Sequence, residues 1–216
     1  MVKTVLINSY IANTKAVDAL IRSMREARGF SSFTIAVIVG GHSLYSHETV
    51  DGILYVNAPH NSFDNTAFIA MLEYPLLSQY TSFFYIHDTA VVGPSFFEKI
   101  GDLNIRSSIR INPPPRPSMN IGAYTLARLE ACRDFLISMK GVDPTQMLHL
   151  KQRCIDTEDY IFKQDEHCVA LECTIDIYPP KDHYGTGTLR RIEYLSSIDM
   201  FKIKSNWNVG ELVLVL

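Results

Sequence analysis

The strongest constraint on this chain is an alternation in its first ninety residues, where short continuous apolar runs are separated by stretches with helical periodicity. Thr4-Val5-Leu6-Ile7 reads as a buried strand, punctuated by Asn8-Ser9. Val17, Leu20, Ile21 and Met24 recur at i, i+3, i+4 and i+7, which predicts a helix from a cap at Asn13 or Thr14 to about Arg28, ended by Gly29. Residues 33–39 read as a β-branched strand closed by Gly40-Gly41, and residues 53–56 as another, closed by Asn57-Ala58-Pro59. Asp64 or Asn65 is predicted to cap a second helix reaching about Leu77. The aromatic run SFFYI, residues 82–86, then leads directly into His87-Asp88-Thr89.

The order is therefore β-α-β-β-α-β. Continuous apolar strands alternating with amphipathic helices predict an α/β fold whose mostly parallel or mixed sheet is flanked by helices, with a Rossmann-like N-terminal half. Ligands of such sheets sit beyond the carboxyl ends of the strands. The polar strand ends (Asn8-Ser9-Tyr10, Gly40-Gly41, Asn57 and His87-Asp88-Thr89) are expected to gather along one edge.

The second half is less regular. Residues 96–100 read as a short helix, 124–140 as a longer one, 156–164 as a helix capped by Asp156 or Thr157, and 169–177 as a strand. Asn112-Pro113-Pro114-Pro115-Arg116-Pro117 excludes helix or central strand and reads as a semi-rigid loop, because proline lacks the backbone donor and fixes φ. The tail from Pro179 is polar and ends in the apolar run 212–216. A chain of 216 residues suits one domain, read here as a half over 1–92 and a second half over 93–216.

Composition narrows the function classes. With 47% hydrophobic and 20% charged residues, the chain is of ordinary globular type, and a net charge of −3 gives no basic field for a nucleic-acid partner. No apolar run approaches the roughly 20 residues needed to span a bilayer. The first residues lack the apolar core and cleavage site of a secretion signal, and the four cysteines form no CxxC pair. Free thiols and a cytoplasmic location (host cytoplasm for a viral protein) are expected.

Five segments can carry chemistry. Asp88, at the end of a buried strand, offers a hard carboxylate for Mg²⁺ or Mn²⁺ beside a diphosphate; the alternative is that it caps the following turn. Glu158-Asp159, in Thr157-Glu158-Asp159-Tyr160, suit a general base for a hydroxyl, but acids also favour helix N-termini for dipole reasons alone. Lys181 to Gly187 includes His183, Tyr184 and Gly185, followed by Arg190-Arg191: a Gly-containing stretch that can approach phosphate, or a plain surface loop. Asn120 and Gly122 mark either a close backbone approach to a ligand or a loop-to-helix junction. Trp207, the only tryptophan, is a sugar platform or ordinary packing.

Taken together, these segments resemble the GT-A glycosyltransferases, whose nucleotide-binding half ends in a strand followed by a DxD-type metal motif. Here FFYIHDTAVVGPSFFEKI looks like that strand, motif and following helix, and Glu158-Asp159 match the "ED" pair of inverting members. The metal motif departs from the family by reading His87-Asp88-Thr89, with one acid where two are usual. The resemblance implies a hexosyltransferase that moves a sugar from a UDP- or GDP-type nucleotide-diphosphate donor to a glycan or other hydroxyl acceptor, with Mn²⁺ or Mg²⁺. Asn8, Ser9 and Tyr10, with Asp64 and Asn65, would hold base and ribose. Asp88 would ligate the metal, helped by His87 or Thr89, with His183 supporting metal and diphosphate from the other side. Asp159 would be the base, Glu158 the alternative, and Asn120 and Gly122 would lie near the sugar.

Three other classes compete with that reading. A sugar-nucleotide nucleotidylyltransferase carries a Gly-rich basic loop after its first strand, whereas Asn8 to Asn13 holds no glycine. A non-catalytic nucleotide- or glycan-binding module would account for the thin metal motif. P-loop and dinucleotide-binding signatures are absent from the N-terminal region.

Overall fold

The computed structural model describes residues 2–111, 120–178 and 189–205. Strand β1 (Thr4–Tyr10) is followed by helix α1 (Thr14–Glu26), β2 (Thr34–Gly40), β3 (Ser46–Val50), β4 (Ile53–Ala58), α2 (Thr66–Glu73), β5 (Ser82–His87), β6 (Ala90–Val92) and α3 (Phe96–Gly101). The rest comprises β7 (Ser108–Ile111), β8 (Gly122–Thr125), α4 (Leu126–Ala131), α5 (Arg133–Ser138), α6 (Met147–Asp156), α7 (Tyr160–Lys163), β9 (Val169–Leu171), β10 (Ile175–Tyr178), β11 (Leu189–Leu195) and β12 (Met200–Ser205).

The fold is mixed α/β. An eight-stranded sheet runs β3-β4-β2-β1-β5-β8-β7-β9. Its centre, β4-β2-β1-β5, is parallel; β3 pairs antiparallel with β4, and β8 antiparallel with both β5 and β7. Central strand β1 is buried from Thr4 to Ser9, as a parallel strand covered on both faces must be. On one face Val5, Ile7, Val37, Phe84 and Ile86 pack against Val17, Leu20 and Met24 of α1 and Phe96 and Phe97 of α3. On the other, Leu6, Ile38, Phe83 and Tyr85 pack against Phe68, Ala70 and Met71 of α2, with Leu129, Leu136 and Phe162 from later helices. Each buried Val, Leu, Ile, Met or Phe among them contributes about 1.5–3 kcal/mol of transfer free energy.

A second sheet runs β10-β11-β12-β6 and is antiparallel throughout. Leu195, Ile198 and Met200 enter the same core as α1 and α3. Residues 1–92 and 93–216 are joined in both sheets, because β5 pairs with β8 and β6 with β12.

The predicted β-α-β-β-α-β order is present with three local differences. Edge strand β3, SHETV, has no apolar pattern because its side chains are largely exposed; pairing with β4 makes it a strand. The second helix stops at Glu73 rather than Leu77, since Pro75 cannot continue it and a 3₁₀ turn follows. Asn65 and Asn13 occupy the N-cap positions of α2 and α1, but neither makes a side-chain cap bond.

The second half differs more. Tyr124 belongs to β8, so the helix predicted over 124–140 begins at Leu126 and breaks at Cys132. Asp156 ends α6 instead of starting a helix, and Glu158-Asp159 lie in the turn between α6 and α7. The strand predicted over 169–177 is two strands in different sheets, β9 and β10. Part of the tail read as polar forms the β11–β12 hairpin.

Candidate functional site

Parallel register sets the site. Asn8 pairs with His87 of β5, Tyr10 with Gly40 of β2, and Val39 with Asn57 of β4, so the polar strand ends share one edge. From β1 the chain passes through α1 to β2 on one side and later, through α2, to β5 on the other. This is a topological switch point, where adjacent loops part and leave a crevice. A cavity of about 370 Å³ opens there, lined by Asn8, Ser9, Tyr10, Asn13, Asn61, Phe63, Asp64, His87, Asp88 and Thr89.

Asp88 lies at its floor, only 4% exposed. Ser9 Oγ (2.7 Å) and Asn13 Nδ2 (3.0 Å) both donate to its Oδ2, and the Asp88 N–H donates to Asn8 O at 3.0 Å. Burial raises the carboxyl above the usual aspartate range, against the pull of Ser9, Asn13, the His87 charge and the Thr89 N–H. The amide of Asn13 is thus turned to Asp88, which is why it leaves the start of α1 uncapped.

Asn8, which lines the cavity, also anchors the entry into α2. Its Nδ2 donates to Phe63 O (3.0 Å) and its Oδ1 accepts from the Ala67 N–H (2.9 Å). A strand residue therefore satisfies an otherwise orphaned donor in the first turn of α2. It also holds Phe63, a non-glycine residue at φ 48°, against the cavity. Tyr85 fixes the next residue, its hydroxyl donating to Asp64 O at 2.6 Å while its ring stacks on Phe68 at 4.2 Å. Asp64 Oδ1 then stands 3.5 Å from His87 Nδ1. Asn65 is turned away from the cavity, its amide facing Cys154 Sγ at 3.6 Å.

Tyr10 is 37% exposed at the lip. Its ring crosses Gly41, where a Cβ would meet Tyr10 Cε2 at 2.6 Å; at φ 94° that turn also demands glycine. An open aromatic ring on a rigid backbone can take the flat face of a base.

The acidic pair divides. Asp159 is 2% exposed, sits in the left-handed region at φ 67° and accepts from Arg110 Nη2. Glu158 is half-buried; burial, then the charge of Asp64, raises its carboxyl, while Lys202 and His87 pull it down. Glu158 is not itself among the residues lining the cavity. The φ of Asp159 turns the chain between α6 and α7, separating two sequence neighbours that a helix start would have kept on one turn.

Asn120 and Gly122 do not line this cavity. Asn120 is buried at φ 63° and its carbonyl accepts from Tyr124 Oη at 2.6 Å. A Cβ on Gly122 would lie 2.2 Å from Ile109 O, so glycine there lets β8 lie against β7. The predicted His183, Tyr184, Gly185 and Trp207 lie outside the described residues, as do residues 112–117 and the side chains of Arg190 and Arg191. Among the described residues, no three His, Cys, Asp or Glu side chains form a group that could hold a metal ion. No helix among them is long and apolar enough to cross a membrane. Sequence reasoning missed Asn61 and Phe63, and read Asn13 only as a cap; an Asn-rich stretch ahead of α2, Asn61 to Asn65, was the available signal.

No protein-family model matches the sequence, and no curated protein matches it. The solved structure of S. aureus TarS residues 1–349 superposes with a TM-score of 0.40 and 11% identity, over 62% of this chain. The matched part spans about half of that chain, 49%. A likeness at this level leaves function to be argued from the site's own residues.

Proposed function

We propose that this chain is a glycosyltransferase that takes a sugar from a nucleoside-diphosphate donor and passes it to an acceptor hydroxyl with inversion. The observation carrying this reading is the switch-point cavity at the ends of β1 and β5, with an open aromatic lip at Tyr10 and the Asp64–His87 pair in its wall. In this reading the base rests on Tyr10 and the Asn61–Asp64 segment holds the ribose. His87, oriented by Asp64, faces the phosphates.

Glu158 is the better general base of the acidic pair. Asp159 is committed to Arg110, whereas Glu158 is partly exposed and burial raises its affinity for protons, which makes it the stronger base. Glu158 takes the acceptor proton, the hydroxyl oxygen attacks the anomeric carbon, and the bond to the diphosphate breaks with its electron pair leaving on phosphate. Backside displacement inverts the configuration.

Mn²⁺ or Mg²⁺, implied by the resemblance, would need Asp88 together with donors beyond the described residues, such as His183. Asp88 is the one member of the expected ligand pair within the described residues, and its Oδ2 already accepts from Ser9 and Asn13. The described side chains do not make a metal cradle on their own.

A thermal-shift screen of nucleotide sugars, followed by product stereochemistry, tests the reading. A ligand binding only the native state stabilises it by about 2.7 kcal/mol at a hundredfold excess over Kd. Stabilisation by one donor and transfer with inversion is the expected result. Cooperative melting unmoved by any nucleotide sugar points to a binding module for another ligand. Pyrophosphate release from a nucleoside triphosphate and a sugar phosphate would instead establish a nucleotidylyltransferase.

A further inference from the structure

A second cavity, of about 220 Å³, lies between α5 and α6 and shares no lining residue with the one at the strand ends. One wall is the loop after α5, with Lys140, Gly141 and Asp143. The other is α6: Gln146, His149, Leu150 and Arg153 recur at i, i+3, i+4 and i+7, so a single face of the helix meets the groove. The loop is held in place from behind. The Gly141 N–H donates to Ser62 Oγ at 2.9 Å, and the Asn61 N–H donates to Gly141 O at 2.9 Å. A Cβ on Gly141 would stand 1.9 Å from Asn61 O, so only glycine lets the loop seat there.

Charge decides what this groove can hold. Lys140, His149 and Arg153 line it against one acid, Asp143. Lys140 is engaged by Glu73, its ammonium 2.8 Å from both carboxylate oxygens. Asp143 is bound into its own turn, Oδ1 accepting from the Thr145 N–H at 2.9 Å and Thr145 Oγ1 at 2.7 Å. Arg153 reaches only Ser138, with Nη1 3.4 Å from its carbonyl oxygen and Nη2 3.5 Å from its Oγ. Both distances exceed the usual roughly 2.7–3.2 Å of an N–H···O bond, so a fork of five donors is left almost unfilled. Among the described residues no carboxylate pairs with Arg153 or His149. The groove between α1 and the β3–β4 hairpin is a contrast: its Arg22 and Arg25 meet Asp18 and Asp51, and Arg25 lies 3.5 Å from Asp51. There the charges cancel within the protein; between α5 and α6 they do not.

We propose that the α5–α6 groove is a binding site for a phosphate group, gripped by the guanidinium fork of Arg153 with the His149 ring beside it. A planar guanidinium matches two oxygens of a phosphate at once, and the imidazole adds a further N–H donor. The volume falls below the roughly 300–1,000 Å³ of sites for drug-sized ligands, so the groove suits a phosphate and the few atoms next to it. Free phosphate and a phosphomonoester offer the same oxygens. The site stands apart from the glycosyltransferase reading, although its Gly141 is bonded to Asn61 and Ser62, and Asn61 lines the strand-end cavity.

The test is an amide NMR titration of the full chain with inorganic phosphate and with glycerol 3-phosphate, against chloride at matched ionic strength, for wild type, Arg153→Gln and Arg153→Lys. The expected result is saturable shifts at Gly141, Gln146 and His149, with affinity weakened roughly tenfold by Arg153→Gln and less by Arg153→Lys. Tighter binding of glycerol 3-phosphate than of inorganic phosphate supports an ester as the ligand; equal or weaker binding supports the free ion. Thermal melts check folding, and His149→Gln, at an exposed position, is a second variant expected to weaken the same shifts. Shifts that chloride reproduces, that never saturate, or that survive Arg153→Gln unchanged overturn the proposal. Saturable shifts confined to Ser9, Tyr10 and Thr89 also overturn it, by placing phosphate in the strand-end cavity, and leave the donor reading standing.

Discussion

Glu158 and Asp159 are adjacent in sequence yet live in opposite environments. The Arg110–Asp159 pair has side chains only 14% and 3% exposed, so removing one charge strands the other in a poorly solvated place. Breaking a buried pair in this way costs about 3–5 kcal/mol. Asp159→Asn is therefore expected to lower the urea midpoint strongly, and Glu158→Gln to leave it nearly unchanged. Turnover should behave the other way in fully folded protein: Glu158→Gln should lower kcat about 10²–10⁴-fold while donor affinity stays. A kcat loss confined to Asp159→Asn, measured well below its melting temperature, would return the base role to Asp159. Because burial raises the Glu158 carboxyl, the acid limb of the rate profile should lie above the ordinary glutamate range and vanish in Glu158→Gln. The sequence displayed the acidic pair but not which member is buried, since that depends on one positive φ and on Arg110, 49 residues earlier.

At the scale of elements, the cavity wall is made by the entry into α2. Asn8 holds this entry from β1, across 55 and 59 residues of chain. Asn8→Ala deletes both bonds and leaves the buried Ala67 N–H without an acceptor, a loss of about 3 kcal/mol. Phe63, released from its positive φ, should relax and move Asp64. The expected outcome is weaker nucleotide binding together with faster amide exchange at the start of α2; exchange unchanged there would remove the anchoring role. The strands and helices of the first ninety residues were legible because burial on both faces writes itself as continuous apolar runs and four-residue spacing. The elements that were not legible depend on a partner strand: β3 and β6 are edge strands, one polar and one short, and the β11–β12 hairpin lies inside the second sheet with charged residues along both strands.

For the whole molecule, a buried polar chain links the β3–β4 side to the loop before α6. Tyr45 Oη donates to Glu73 and lies 3.2 Å from His60 Nε2; His60 Nδ1 lies 2.9 Å from Ser62 Oγ, which accepts from the Gly141 N–H. Burial, then the nearby Lys140 charge, pulls His60 down to about 4, Glu73 opposing. The unfolded chain takes up that proton near pH 6.5 and the folded one near 4, so stability from this group is complete above pH 6.5 and is lost as pH falls to about 4. The slope in that window is about 1.4 kcal/mol per pH unit. Urea titrations at pH 7, 6 and 5 should show it, and His60→Gln should flatten it; an unchanged slope in that variant would assign the pH response elsewhere. The sequence by itself determined the layered α/β core and the edge at which a ligand would sit, because periodicity and strand-end polarity are local properties of the chain. Only tertiary structure decided that Asn8 anchors α2, that Asn13 serves Asp88 and that Gly122 belongs to strand packing. Each depends on a contact or register between segments far apart in sequence, which no local pattern encodes.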